Sequence, residues 1–226
     1  MIDIHTHALF GIDDGAKTIN DSINMLKDAY KNGVTTCVLT PHCVLHRRGD
    51  TKRFLDLRNE NFEKIKELNL EFIPDLLCGA EVLMDHDLSL HKDLSKLCID
   101  GGKYLLIELP NFARIPDFDE WIYCLNMRGI TPIIAHVERY PLWKELISSL
   151  TSTDVYFQVN ASVFDKFFKR RIIKRLILAG KKFFVASDMH NLTTRTNNLQ
   201  RAFEKAKRLF PKSYSTFFIS EFDFHK

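Results

Sequence analysis

Apolar residues along this chain gather into seven short runs rich in β-branched and aromatic side chains. Between the runs, polar and apolar positions alternate with helical spacing. The first run, 2–7, opens the chain. After a loop over 11–15, Thr18 is placed to cap a helix carrying Ile19, Ile23, Leu26 and Tyr30, which ends near Gly33. The run 34–40 predicts a second strand, stopped by Pro41. A charged helix over 51–68 and a strand over 70–81 follow. Four more strands are predicted over 104–109, 130–136, 155–160 and 181–187, with the clearest helical patterns over 164–179 and 197–210. Strands alternating with helices imply a parallel sheet with right-handed crossovers. Seven such units predict an α/β fold, a closed or nearly closed barrel one unit short of the common eight. An open doubly wound sheet is the alternative.

Length and composition add few constraints. The 226 residues suit one domain, 1–226, with no linker or repeat inside it. Hydrophobic residues at 45% and charged residues at 27% describe an ordinary globular chain, and no run is long enough to span a membrane. A net charge of +3 gives no reason to expect a nucleic-acid partner or membrane insertion. Met1-Ile2-Asp3 does not read as a secretory leader, and the five scattered cysteines contain no Cys-x-x-Cys pair. Both features suggest reduced thiols, used as small core residues, in a cytoplasmic protein.

The polar residues are more telling. In a parallel barrel, chemistry collects where the strands' C-terminal ends converge. The first predicted strand ends in His5-Thr6-His7, with Asp13 and Asp14 in the loop beyond, and the second in Pro41-His42. The third ends in Glu81, the fourth in Glu108, and the fifth in His136 with Glu138 and Arg139 behind it. The sixth ends in Asn160, and the seventh in Ser187-Asp188-Met189-His190 with Arg195 soon after. His5 and His7, two apart on a strand, point the same way and can reach one ion. Asp188 and His190 repeat that spacing. So many imidazoles and carboxylates converging in one place are costly to bury without cations among them. Such donors suit zinc, manganese or iron better than calcium.

Taken singly, His42 or His136 reads as a hydrogen-bonded core histidine, and Glu81 or Glu108 as a strand-end acid. Asp3 reads as structural and deeper in the fold, and His46, His86, His91 and His225 as surface residues. Cysteine-based phosphatase chemistry needs Cys-x5-Arg. Counting on from Cys43 reaches Gly49, and no other cysteine has its arginine, so a thiolate phosphoenzyme is disfavoured.

His5-Thr6-His7, Asp13-Asp14-Gly15, Pro41-His42, Gly79-Ala80-Glu81, Glu108, Ala135-His136-Val137-Glu138-Arg139-Tyr140 and Ser187-Asp188-Met189-His190-Asn191 occur in one order. Together they resemble the PHP (polymerase and histidinol phosphatase) superfamily, and within it the bacterial tyrosine-protein phosphatases of capsule and exopolysaccharide loci. The resemblance runs from residue 1 to about residue 210. It implies a distorted seven-stranded (β/α)7 TIM-like barrel with three divalent metal ions. By motif, His5, His7, Glu81 and Asp188 would hold one ion. Glu81 would be shared with a second, bound also by Glu108 and His136, and Asp14, His42 and His190 would hold a third. Arg139 and Arg195 match the family's phosphate-holding arginines. Manganese is the metal the resemblance implies first, with iron or zinc as alternatives.

The function implied is metal-dependent hydrolysis of phosphotyrosine on a protein, a tyrosine kinase of polysaccharide synthesis being the expected substrate. The metal ions would activate a water, and the arginines would hold the phosphoryl oxygens. Lys17, Arg47, Arg48 and Lys52, in the first two strand-to-helix loops, offer charge for an acidic peptide, or form a solvated basic loop. The rival readings are a small-molecule phosphatase such as histidinol phosphatase and a non-catalytic metal-binding regulator of polysaccharide assembly. Glu108 weighs against the first rival, because other branches of the superfamily often carry histidine there. A homo-oligomer is compatible with either reading.

Overall fold

A computed structural model describes residues 1–45, 50–110, 117–150 and 153–224. The opening apolar run forms β1 (Ile2–Thr6), buried along its whole length. Thr18 caps α1 (Ile19–Lys31): its hydroxyl accepts from the Asp21 amide, and the Asp21 carboxylate accepts from the Thr18 amide. Gly33, just past the helix, has φ 76°, the left-handed conformation that lets the chain turn into the next strand.

The second and third expected strands are each divided. β2 (Thr36–Leu39) stops before Pro41, and pairing resumes as β3 (His42–Cys43). After α2 (Asp50–Glu67) come β4 (Asp75–Cys78) and β5 (Glu81–Leu83) in place of one strand over 70–81. The break falls at Gly79, whose carbonyl accepts from buried Arg58 of α2 at 3.1 Å. Glu81 therefore opens a strand where the sequence suggested it would close one.

The rest of the chain continues the alternation. β6 (Tyr104–Glu108), α3 (Phe118–Met127), β7 (Thr131–Ile134), α4 (Trp143–Ser149) and β8 (Tyr156–Asn160) follow in order. α5 (Arg171–Leu178), β9 (Phe183–Ala186), α6 (Leu199–Leu209), α7 (Tyr214–Phe217) and β10 (Phe218–Ile219) complete it. The helix expected over 164–179 is shorter, because Phe164 lies in a 3-10 turn (Ala161–Asp165) that drives its ring into the core. Helix then runs only from Arg171, where Ile172, Ile173 and Leu176 form a buried stripe.

Among the described residues all strand pairs are parallel, as the alternation predicts. One sheet has the order β1-β2-β4 and the other β10-β9-β8-β7-β6-β5-β3. The two adjoin where β1 meets the end of β9. The Asp188 amide donates to His5 O and the His7 amide to Met189 O, both at 2.9 Å. The fold is thus α/β with parallel sheets, its helices packed against a large apolar cluster on the outer side.

A second apolar cluster lies between the strands. Ile2, Ile4, Leu106, Ile133, Phe184 and Ala186 meet there, and Phe224 joins them from the C-terminal segment. No element was expected beyond residue 210, yet this segment adds β10 beside β9 and sends Phe222 and Phe224 against Tyr104, Tyr156 and Phe184. Tyr104 and Tyr156 begin their strands, so the tail closes the end opposite the polar strand termini. Replacing Phe224 with alanine is expected to cost about 3 kcal/mol, as for other buried aromatics. Urea unfolding monitored by circular dichroism measures the loss, and an unchanged midpoint would show the tail to be dispensable.

Candidate metal centre

β1 carries one extra residue relative to β2 between Asp3 and Thr6. A bulge of this kind bends a strand and re-aims its side chains. Here Ile2 and Ile4 join the inner apolar cluster, while His5, within the irregularity, and His7, just beyond it, turn into the polar end of the same interior. Their Nε2 atoms come within 3.1 Å of each other. Asp3 faces Ser187 and Asn197, accepting from the Ser187 amide at 3.0 Å and the Asn197 side chain at 3.2 Å. It lies outside the cluster of imidazoles, in keeping with the structural role expected of it.

Each of these two rings is fixed from behind. His7 Nδ1 donates to Asp13 Oδ2 at 2.6 Å, and the same oxygen accepts from the His42 amide at 2.9 Å. Burial pushes the Asp13 carboxyl up, but the His7 ring and the amides of Gly15 and His42 outweigh it and hold the carboxyl at about 2. His5 Nδ1 donates to Gln158 Oε1 at 3.1 Å. Gln158 also accepts from the His136 amide at 2.6 Å and donates to Asn160, which donates to Asp188 Oδ2, both at 2.8 Å. This relay leaves the Nε2 atoms of both histidines facing inward.

At the centre stands Glu81, fully buried. Its Oε2 lies 3.1 Å from His5 Nε2, 3.2 Å from His7 Nε2 and 3.0 Å from His42 Nδ1, yet makes no aligned hydrogen bond with any of them. Its Oε1 accepts from His136 Nε2 at 2.8 Å. Burial alone would raise this carboxyl; the surrounding imidazoles, His5 foremost, hold it well below the usual carboxylate range. Glu108, half-buried, lies 3.5 Å from His136 Nε2 and 3.6 Å from His42 Nδ1. Burial and the neighbouring Glu81 push it up.

On the outer side, Asp14 is exposed and faces His190 Nε2 at 3.4 Å and His42 Nε2 at 3.6 Å. His190 Nε2 is buried without an aligned hydrogen bond. Burial and the neighbouring His7 push its ring down to about 3, which leaves the neutral imidazole that ligates cations. Asp188 lies beside all of this, its Oδ1 3.7 Å from His5 Nε2 and 3.5 Å from His7 Nε2. Arg195 donates to Asp188 Oδ1 at 2.8 Å, and Arg139 donates to Oδ2.

The structure thus draws all eleven candidate residues into one region. Three groups bring their ligating atoms within 4.8 Å of one another: His5, His7 and Glu81; His42, Glu81 and Glu108; and His7, Asp14, His42 and His190. His42 differs from the implied ligand sets by turning one nitrogen toward Glu81 and Glu108 and the other toward Asp14. The orphaned Glu81 Oε2 and His190 Nε2, in a nest of imidazole and carboxylate donors, fit a set of divalent cations.

Backbone strain accompanies the site. His136 at φ 29° and Asp188 at φ 54° close strands in the left-handed region, anchored by Gln158 and by His5 O respectively. Sequence reading passed over Gln158 and the orienting role of Asp13. Gln158 was signalled by being polar, two residues before Asn160, on an otherwise apolar strand. Tyr140, inside a quoted motif, accepts from the Leu109 amide at 2.9 Å and lies 3.4 Å from His136 Nδ1.

Other expectations resolve differently. Lys17 donates to Asp13 O and Lys52 pairs with Asp56, so both are engaged locally, while Arg47, Arg48, His46 and His225 lie outside the described residues. His86 and His91 are partly exposed and lie outside the ligand groups, as expected, and they meet Nε2 to Nε2 at 2.8 Å. Cys37, Cys43, Cys78 and Cys98 are buried, and burial pushes the thiols up, to about 12 for Cys43 and Cys98 and about 11 for Cys78.

Two outcomes follow from this packing. A Cβ on Gly15 would overlap the carbonyl oxygen and Cβ of His7. Gly15→Ala is therefore expected to lower metal content, measured by mass spectrometry, and to destabilise the fold by about 2 kcal/mol or more. Full metal occupancy in that variant would show that the loop can move aside. A disulfide thiol reagent is expected to label Cys124 in the native protein and every cysteine after denaturation.

Comparison with known proteins completes the picture. A tyrosine-protein phosphatase CpsB from Streptococcus agalactiae is 32% identical over 228 residues, covering 94% of this chain and 92% of its own. Tyrosine-protein phosphatase YwqE from Bacillus subtilis is 36% identical over 215 residues, covering 89% and 82%. A chain from the crystal structures of YwqE and of CpsB from Streptococcus pneumoniae, described as unique metal-dependent tyrosine phosphatases, superposes with a TM-score of 0.78. It is 27% identical and covers 93% of this chain and 87% of its own. Residues 1–221 match the family model for capsular polysaccharide synthesis, CpsB/CapC, and the chain belongs to that family.

Proposed function

We propose that this protein is a metal-dependent protein-tyrosine phosphatase whose substrate is a tyrosine kinase of capsular or exopolysaccharide synthesis in the cytoplasm. The observation that carries the reading is Glu81 Oε2, set among three imidazole nitrogens at 3.0–3.2 Å with no aligned hydrogen bond, while Arg139 and Arg195 both reach the nearby Asp188. The strand pairing supports a distorted seven-stranded barrel. In this reading β2 with β3 and β4 with β5 each act as one interrupted strand, the β9–β1 contact is the seam, and β10 lies outside.

The proposed ligands are His5, His7, Glu81 and Asp188 for one ion, Glu81, Glu108 and His136 for a second, and Asp14, His42 and His190 for a third. Manganese is the proposed metal, and the same donors would also serve iron or zinc. Divalent ions held by these residues would supply an activated water and positive charge toward phosphoryl oxygens. The residues of the chain do the rest. Arg139 and Arg195 are about a third exposed and each has further N–H groups beyond those on Asp188, placed to bind non-bridging oxygens bidentately. Asp13, Gln158 and Tyr140 keep the rings of His7, His5 and His136 in place while charge develops. A cavity of about 340 Å³ opens beside Asp14 and His190, with Ala16 and Met25 as apolar wall and Lys17 at its margin. A phenolate, with a pKa of about 10, leaves without an obligatory proton donor.

The test is hydrolysis by metal-stripped protein with manganese added back, on phosphotyrosine peptide, phosphoserine peptide and histidinol phosphate in parallel. Manganese-dependent release from phosphotyrosine alone is expected. Preference for histidinol phosphate would move the function to a small-molecule phosphatase. Metal binding without release from any substrate would favour a regulator. His136→Ala and Asp188→Ala are each expected to lower kcat/KM by about a hundredfold or more. Near-normal turnover in either variant, with metal restored, would remove that residue from the assignment.

A further inference from the structure

β8 ends at Asn160, which holds Asp188, and a few residues later the chain reaches Lys166, Phe167, Phe168, Lys169, Arg170 and Arg171. Phe167 and Phe168 expose 74% and 73% of their surface, while their neighbours Phe164, Ile172 and Ile173 are buried. Helical phase does not explain the exposure, because the chain has already met its packing needs on both sides of the pair. The two rings touch edge to face at 5.7 Å. The Arg170 guanidinium lies over Phe167 at 5.9 Å, and that of Arg171 over Phe168 at 5.6 Å. No acidic residue occurs from 166 to 187. Asp165, just before, is taken up by Arg201 and Lys205 of α6.

We propose that this patch is a peripheral docking surface for membranes rich in anionic phospholipid. The four cations attract the headgroup phosphates, and the two phenyl rings enter the boundary between headgroups and acyl chains. An acidic peptide would answer the cations but leave both rings in water. Nucleic-acid bases would need free ring faces, and here each ring has a guanidinium over one face and the other ring against it. The contact is interfacial: among the described residues no helix is long and apolar enough to cross a membrane. Its position has a consequence. The patch follows the C-terminal end of β8, the same end of the strands at which Asp188 and His190 stand. Docking therefore turns the metal centre toward the lipid, where phosphorylated segments of membrane-held proteins would reach it. That consequence rests on the phosphatase reading, whereas the docking does not.

The experiment is cosedimentation of the full chain with vesicles of phosphatidylcholine alone or mixed with phosphatidylglycerol. Binding to the anionic vesicles only, weakened by added salt, is expected. Phe167→Ser with Phe168→Ser, and separately Lys169→Glu with Arg171→Glu, should each weaken binding by about tenfold or more without moving the melting temperature. Binding should persist in the His136→Ala variant, so loss of catalysis and loss of docking are separable. Absence of binding to anionic vesicles, or binding that neither double variant weakens, would overturn the proposal. So would a dimer in light scattering that the paired serine variant dissolves while wild-type protein ignores the vesicles, since a second copy would then own the surface.

Discussion

Glu81 is fully buried, and a carboxylate in that position must be compensated by several neighbours at once. Removing such a charge from water costs several kcal/mol, which one ion pair seldom recovers. Four imidazoles approach its two oxygens, and three of them crowd one oxygen without aligning to it. Proton-mediated pairing is a poor solution for so many donors at one acceptor. Divalent cations shared among the same atoms would satisfy all of them, and their binding would then contribute to folding as well as to chemistry.

The local irregularities of the backbone serve that arrangement. Pro41 and Gly79 divide two strands, so that His42 and Glu81 begin short strands directly opposite each other in register. The extra residue in β1 brings both histidines to the inner side. His136 and Asp188 leave their strands in a left-handed turn. Each departure from regular strand geometry carries a free-energy cost, of about 1–3 kcal/mol for the left-handed residues. The strain is held by hydrogen bonds from the neighbouring strand, and it falls at the polar end of the interior.

The opposite end is closed differently. Aromatic rings from the C-terminal tail pack against Tyr104, Tyr156 and Phe184, so apolar burial secures the end that carries no chemistry. This division leaves the polar end open to ligands while the strands remain anchored. The exposed Phe167 and Phe168 fall outside both clusters and belong to the surface around the open end.

Much of this was legible in the sequence. Alternating apolar runs determined the parallel α/β fold, because period and turn residues are local properties. The spacing of His5 with His7, and the polar residues placed at strand ends, determined which side chains would converge. Only the tertiary structure decided how they converge. Gln158 became a support for His5 and His136 because strand pairing brought three distant segments together, and no local pattern records that. The expected strand over 70–81 is divided at Gly79, whose carbonyl is taken by Arg58 from a helix some twenty residues earlier. The shortened helix after β8 arose because burial of Phe164 outweighed helical propensity, a comparison between core and solvent that a linear sequence does not contain. Sequence period is set within a few residues, while burial and hydrogen-bond partners are set by the whole chain.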